Sequence, residues 1–237
     1  MLHRQVKIGL IGGVGWVSTL EYYRRINMHF ESRLGALRNP GIVLNSLPIE
    51  AVLRYQESGD SVAEGAVLAE AVRVLEGAGV HFGLICSNTT SRTLDALQEG
   101  TSVKFVDIVD AVIRTILRLD VSTVGLLGTR HVMEGGFYVK RLESSGIDVR
   151  VPDKADRDEV HRMIYEELCV NDIREESRLR LAGVIRRLGA EGCQAVVLGC
   201  TELPVLLSES VVDGVVLIDS VDSHLNALYE EIGPPLA

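Results

Sequence analysis

Ile8-Gly-Leu-Ile-Gly12, near the start of the chain, returns as Val124-Gly-Leu-Leu-Gly128. Each is an apolar run of strand length that closes on glycine and gives way to an amphipathic stretch. The agreement continues past the run. Ten residues beyond each final glycine stands a tyrosine, Tyr22 or Tyr138, and an arginine follows at Arg25 or Arg141. Further on, Leu75-Glu-Gly-Ala-Gly79 is matched by Leu188-Gly-Ala-Glu-Gly192, each closing a helix before a strand. Matches at several positions with a nearly constant offset mark one unit written twice.

The same alternation fills the rest of the chain. Strands are expected at Lys7–Ile11, Ile42–Leu47, Phe82–Cys86, Lys104–Ile108, Thr123–Leu127, Asp148–Val151, Ala195–Gly199 and Val215–Ile218. Helices are expected at Leu20–Arg33, Val62–Glu76, Val109–Leu119, Gly136–Ser144, Arg157–Cys169 and Ile173–Leu188. Strand–helix alternation implies parallel sheets covered on both faces. The expected fold class is therefore α/β: two similar pseudo-symmetric domains, each a mostly parallel sheet flanked by helices, with an active-site cleft between them. The halves divide as 1–112 and 113–237, the C-terminal helix being free to pack back on the first half.

Composition narrows the function. Of 237 residues, 46% are hydrophobic and 24% charged, as in an ordinary globular protein. No apolar run approaches the roughly 20 residues of a membrane helix, and Met1–Lys7 lacks the apolar core of a signal peptide. A cytoplasmic protein is expected. The net charge is −9 and the basic residues are dispersed, which argues against nucleic acid and membrane as partners. The cysteines at 86, 169, 193 and 200 form no C-x-x-C pair and the histidines are scattered, so no metal is expected. Lysines at 7, 104, 140 and 154 lie outside any catalytic turn, which disfavours pyridoxal phosphate.

In open parallel sheets, ligands bind beyond the carboxyl ends of the strands. That rule selects Gly12–Gly15, Ser87–Thr89, Gly128–Arg130 and Cys200–Glu202 as cleft lining, with Gly13 and Val14 in the first loop. Cys200 ends an apolar run and precedes Thr201-Glu202-Leu203-Pro204, a helix start. A helix N-terminus lowers a thiol's pKa, so Cys200 is expected to be a reactive thiol rather than a small buried hydrophobe. Cys169 and Cys193 are expected to be structural. The matching strand end carries Cys86 and Ser87, whose side chains point to opposite sides. Counting eight residues from Gly79 gives Ser87, and eight from Gly192 gives Cys200, which favours Ser87. Chemistry favours Cys86, because a hydroxyl needs an activator to act as a base. Asn88, Thr89 and Thr201 are helix-start donors suited to a carboxylate, or plain caps.

Gly12-Gly-Val-Gly-Trp-Val-Ser-Thr19, Glu21-Tyr-Tyr-Arg-Arg-Ile-Asn27, Cys86-Ser-Asn-Thr89, Gly125-Leu-Leu-Gly-Thr-Arg130, Ile164-Tyr-Glu-Glu-Leu168 and Gly199-Cys-Thr-Glu-Leu-Pro204 together resemble the aspartate/glutamate racemase family. The resemblance spans nearly the whole chain and is nearest the broad-specificity branch, which includes enzymes specific for L-aspartate and L-glutamate. It implies a cofactor-independent, often dimeric amino-acid racemase acting on aspartate- or glutamate-like substrates by two-base transfer of the α-proton. By analogy Cys200 is one acid/base and Ser87 stands where the family usually has its other cysteine; some relatives carry threonine there. Asn88, Thr89, Thr129 and Thr201 would hold the α-carboxylate and amino group, with Glu202 beside them. Two further positions depart from the family: Val17 replaces an acid in the first loop, and Ser91 replaces a histidine after the first motif.

Other readings remain. The loop Gly13-Val-Gly15-Trp-Val-Ser18 resembles a dinucleotide-binding turn but lacks the third glycine, and Leu47-Pro48-Ile49 offers no acid for a ribose. A one-thiol enzyme, a decarboxylase or isomerase of a small dicarboxylate, needs only Cys200. A non-catalytic ligand-binding homologue needs neither group. Arg92, Arg130 and His131 are candidate cations for a substrate side-chain carboxylate.

Overall fold

The computed structural model describes residues 6–207 and 209–233. Two sheets organise it. The first holds β1 (Lys7–Gly12), β2 (Gly41–Ser46), β3 (Phe82–Ile85) and β4 (Lys104–Phe105) in the order β2-β1-β3-β4, all parallel. The second holds β5 (Thr123–Gly128), β6 (Asp148–Arg150), β7 (Ala195–Gly199), β8 (Val211–Val212) and β9 (Val215–Asp219) in the order β6-β5-β7-β9-β8. It is parallel except for the edge pair β8–β9. In each sheet the strand that opens the unit is flanked by the next two, so the duplication in sequence is a duplication in topology.

Period-2 side-chain alternation puts successive β7 residues into different cores. Val196 and Leu198 pack with Leu127, Leu181, Val184 and Leu188. Ala195 and Val197 pack with Ile108, Val112, Val124 and Leu126. The first sheet's Ile11 and Ile85 pack against Leu68, Val72 and Leu75 of helix Ser61–Gly77. Gly9 and Gly125 let the helices Ser61–Gly77 and Glu175–Ala190 approach their sheets. A Cβ on Gly9 would lie 2.8 Å from Leu75, and one on Gly125 would lie 2.8 Å from Leu188. The tyrosines that repeat in sequence, Tyr22 and Tyr138, are both fully buried.

By contacts, the chain forms one compact unit up to Asp107 together with the residues from Leu225, and a second at Ile108–His224. The change of unit falls before residue 112 because helix Ile108–Arg118 puts Ile108, Val109, Val112 and Ile116 into the second core. Residues from Leu225 belong to helix Ser220–Ile232. There Tyr229 stacks on His29 of helix Trp16–Leu34 with ring centroids 3.4 Å apart, and Glu231 pairs with Lys104 at 2.5 Å.

Local details depart from the expectations. The strand expected to reach Ile108 stops at Phe105, where Ile108 opens a helix. Helix Lys154–Glu166 begins three residues before the expected Arg157, because the Asp153 side chain accepts the Asp156 N–H at 2.9 Å and caps it. The helix Ile49–Ser58 and the strand β8 are additions, and the expected C-terminal helix spans Ser220–Ile232. Among the described residues, no helix is long and apolar enough to cross a membrane.

Candidate functional site

Every residue selected from the sequence lies at the carboxyl end of a strand, and within each unit the selected turns come from neighbouring strands. In the first unit the loop after β1 is drawn tight. Gly13 donates its N–H to Thr19 Oγ1 at 2.9 Å, and that hydroxyl donates to the Gly15 carbonyl at 3.1 Å. Gly13 has φ +87°, and a Cβ there would sit 2.1 Å from the Leu47 carbonyl oxygen, so only glycine fits. Val14 is half-buried, and Val17 lies in the core.

Beside that loop, β3 runs into Cys86 and Ser87. Cys86 is 1% exposed, and burial pushes its thiol far up. Its N–H donates to the Ile11 carbonyl at 2.9 Å, continuing the ladder by one residue. Ser87 begins the polar turn. Its Oγ accepts the Thr90 N–H at 3.3 Å and the Thr90 hydroxyl at 3.1 Å, while its carbonyl accepts the Ser91 hydroxyl at 2.7 Å. Asn88 and Thr89 are buried next to it.

In the second unit Thr129 follows β5 and caps helix Arg130–Glu134, its hydroxyl accepting the Val132 N–H at 3.3 Å. Neighbouring β7 delivers Cys200, Thr201 and Glu202, all buried. The Cys200 thiol donates to Glu202 Oε2 at 3.0 Å, and the Thr201 hydroxyl donates to the same oxygen at 3.0 Å.

The sheet registers fix the equivalence of the two turns. Ile11 pairs with Ile85, and Ser87 lies two residues on. Leu127, the counterpart of Ile11 in the repeat, pairs with Leu198, and Cys200 lies two residues on. Ser87, not Cys86, is thus the positional counterpart of Cys200.

One expectation is overturned. The Cys200 thiol is not depressed but pushed well above its ordinary range, first by burial and then by the charge of Glu202 and by Cys169. The helix that follows, Leu203–Leu206, is a single turn, too short a dipole to offset the loss of water and a carboxylate 3.0 Å away. Cys200 rests as a thiol whose proton points at Glu202. Cys169 packs against the same apolar cluster, its thiol pushed up to about 12 by burial and by Glu202, and Cys193 lies within that cluster.

Of the candidate cations, Arg92 donates to Glu64 at 2.5 and 3.1 Å, and Glu64 is fully buried. Arg130 pairs with Asp158 at 3.0 Å, and its backbone N–H donates to His161 Nδ1 at 3.2 Å. His131 is half-buried. Behind Ser87 lie groups that strand-end reasoning does not reach. Gln56 Nε2 donates to Glu64 Oε1 at 2.8 Å and to Thr90 Oγ1 at 3.3 Å. A signal for them existed: Glu64 is in step with Leu68, Ala71, Val72 and Leu75, and so stands on the apolar stripe of its helix. Among the described residues, no group of three or more His, Cys, Asp or Glu is placed to hold a metal ion.

A structure from Yersinia pestis assigned to the Asp/Glu racemases is 36% identical to this chain, with a TM-score of 0.83, and the alignment covers 94% of this chain and all of that one. An aspartate racemase homologue from Pyrococcus horikoshii is 31% identical, with a TM-score of 0.80 over 95% of this chain and 98% of that one. A glutamate racemase of Herpetosiphon aurantiacus is 27% identical over 187 residues, 76% of this chain and 72% of that protein. The family model for Asp/Glu/hydantoin racemase matches residues 11–228, a span that contains both strand-end turns. The chain belongs to the Asp/Glu/hydantoin racemase family.

Proposed function

We propose that this protein is a cofactor-independent amino-acid racemase acting on aspartate- or glutamate-like substrates, with Cys200 and Ser87 exchanging the α-proton on opposite faces of the substrate. The reading takes a cytoplasmic homodimer as the working form. Family membership supports racemase chemistry, and one observation carries the assignment of the pair: Ser87 and Cys200 hold the same register position in the two halves of a duplicated chain.

The two groups would work differently. A buried thiol hydrogen-bonded to a carboxylate is set up as an acid, ready to protonate a carbanion. To act as a base, Cys200 first passes its proton to Glu202 Oε2, and the thiolate then takes the α-proton. Ser87 has the opposite surroundings. Two donors from Thr90 converge on its Oγ, which stabilises negative charge there and makes its own proton easier to give or exchange. Asn88, Thr89, Thr129 and Thr201, with the Gly13–Val14 loop, are the groups proposed to hold the α-carboxylate and amino group while charge develops.

The same asymmetry favours a second reading. The thiol has a carboxylate to receive its proton, whereas both Oγ bonds of Ser87 among the described residues come from donors. An enzyme in which only Cys200 handles protons would decarboxylate or isomerise a small dicarboxylate from one face. Chiral chromatography of L-aspartate and L-glutamate after incubation with the protein separates the readings. The proposal expects the D-enantiomer of at least one to accumulate, and to vanish with Cys200→Ala. Consumption without the D-enantiomer would favour the one-sided enzyme.

A further inference from the structure

Ser87 Oγ stands at the end of a chain of polar groups that runs through the first unit, from the half-buried Arg92 through the buried Glu64, Gln56 and Thr90. Glu64 and Thr90 are fully buried, Gln56 is 3% exposed and Ser87 8%. Three different helices supply these groups: Ile49–Ser58 gives Gln56, Ser61–Gly77 gives Glu64, and the short 3₁₀ turn Thr90–Thr93 gives Thr90 and Arg92. Burying this many polar atoms is costly unless each is paired, and the pairing has a direction.

The direction follows from donor and acceptor inventory. Arg92 can only donate, so both its bonds make the Glu64 carboxylate the acceptor and supply its countercharge. A carboxylate beside Gln56 at 2.8 Å must meet the amide nitrogen, since the amide oxygen would oppose acceptor to acceptor. That choice fixes which way the amide is turned. The second N–H of the same nitrogen then faces Thr90 Oγ1 at 3.3 Å, which must accept it. Having accepted from Gln56, the Thr90 hydroxyl has its proton left for Ser87 Oγ at 3.1 Å. The Thr90 backbone N–H adds a second donor at 3.3 Å. Ser87 therefore accepts twice, and its own proton must leave in a different direction.

We infer that Glu64, Gln56 and Thr90 are positioning residues for Ser87: the carboxylate orients the amide, the amide orients the Thr90 hydroxyl, and the hydroxyl converts Ser87 into a better proton donor aimed away from the buried network. The inference rests on the reading of Ser87 as one of the two acid/base groups. It adds that the activator a serine needs is a donor relay rather than a neighbouring base.

The relay can be tested without relying on turnover. In Ser87→Cys the introduced thiol reports directly on the donors that converge at this point. Its alkylation by iodoacetamide is followed against pH, with the modified residue located by mass spectrometry. In that background, Thr90→Val and Gln56→Met should each raise the apparent thiol pKa by about one unit, while Thr90→Ser, which keeps the hydroxyl, should leave it within a few tenths. If Thr90→Val fails to fold, Gln56→Met, which keeps the volume, carries the same test. An unchanged profile in the folded variants overturns the relay, whatever the protein's activity. With Ser87 in place, Thr90→Val should slow deuterium exchange of one amino-acid enantiomer about tenfold or more and leave the other within about twofold, with recovery in Thr90→Ser. Equal loss for both enantiomers would make Thr90 a merely structural group and overturn the inference. A shifted thiol profile in a protein that exchanges no amino acid would sustain the donor relay and refute the racemase reading.

Discussion

Ser87 and Cys200 lie two residues beyond equivalent rungs of their sheets, yet their side chains meet opposite partners. The Cys200 thiol donates to Glu202 Oε2 at 3.0 Å, whereas Ser87 Oγ accepts from Thr90 at 3.1 and 3.3 Å. The same strand end occurs in both units with different surroundings. One side holds a thiol paired with a carboxylate, and the other a hydroxyl fed by donors. The consequences are separable by mutation.

Cys200→Ala should reduce racemisation by about 10³-fold or more, because it removes the group proposed to take and return a proton. Glu202→Gln keeps an oxygen that can accept a hydrogen bond but removes the charge and the base that could take up the thiol proton. It should lower activity by about 10²-fold, and it should also let Cys200 ionise at lower pH, since the Glu202 charge helps to hold the thiol up. The pH dependence of Cys200 alkylation measures that second effect. An onset that does not move would detach Glu202 from the thiol.

Cys86 and Ser87 are adjacent but should behave differently. Ser87→Ala is expected to impair exchange of one enantiomer before the other. Cys86→Ala should leave both rates nearly intact and cost about 1 kcal/mol of stability, the price of a small cavity at a position 1% exposed. Paired exchange rates and urea midpoints for the two variants decide the matter. Loss of activity in Cys86→Ala with Ser87→Ala unaffected would mean that the catalytic register is off by one.

Stability should fall as the solution becomes alkaline. Burial raises the thiols of Cys86 and Cys200, and Cys169 is pushed up to about 12. In the unfolded chain a thiol ionises near about pH 8.5. Above that pH the native state holds protons that the unfolded state has released, so stability contributed by the neutral thiols is complete below about 8.5 and is lost as pH rises toward the folded values. Each such thiol costs about 1.4 kcal/mol per pH unit in that window. Urea unfolding at several pH values should show a shallower alkaline slope for Cys86→Ala than for the natural sequence. Equal slopes would mean that Cys86 ionises alike in both states.

Arg92→Leu should be strongly destabilising. It strands Glu64, which is fully buried, without its countercharge, and breaking a buried pair from one side costs about 3–5 kcal/mol. Adding Glu64→Gln to Arg92→Leu should recover part of that loss, because no charge is then left behind. A double variant less stable than Arg92→Leu alone would contradict the pairing, as measured by urea unfolding.

Much of this was legible in the sequence because two simple periodicities govern it. Apolar runs such as Ala195–Gly199 are buried on both faces and stand out from the helices around them. The repeat of Ile8–Gly12 at Val124–Gly128 carried the topology, and the count from Gly79 and Gly192 led to Ser87 and Cys200. Other features were encoded more quietly. Val211-Val-Asp-Gly-Val-Val216 reads as a two-residue hairpin, and Asp213 and Gly214 do adopt φ +48° and +85° between β8 and β9. The raised Cys200 thiol was not legible, because it depends on burial and on the carboxylate two residues away turning back toward Sγ. Nor was the Gln56–Thr90–Ser87 relay, whose Gln56–Thr90 link spans 34 residues and depends on side-chain geometry alone.

The central claim is transfer of the α-proton between two groups on opposite faces. The most direct measurement is the early time course of L-aspartate and L-glutamate incubated with the protein in D2O, resolved by enantiomer. Two-base transfer predicts that the D-product carries deuterium at the α-carbon from the outset, while the remaining L-substrate keeps its protium. Deuterium accumulating in the L-substrate with no D-product would contradict the two-base account, and absence of deuterium from both enantiomers of both amino acids would contradict the proposed substrate class.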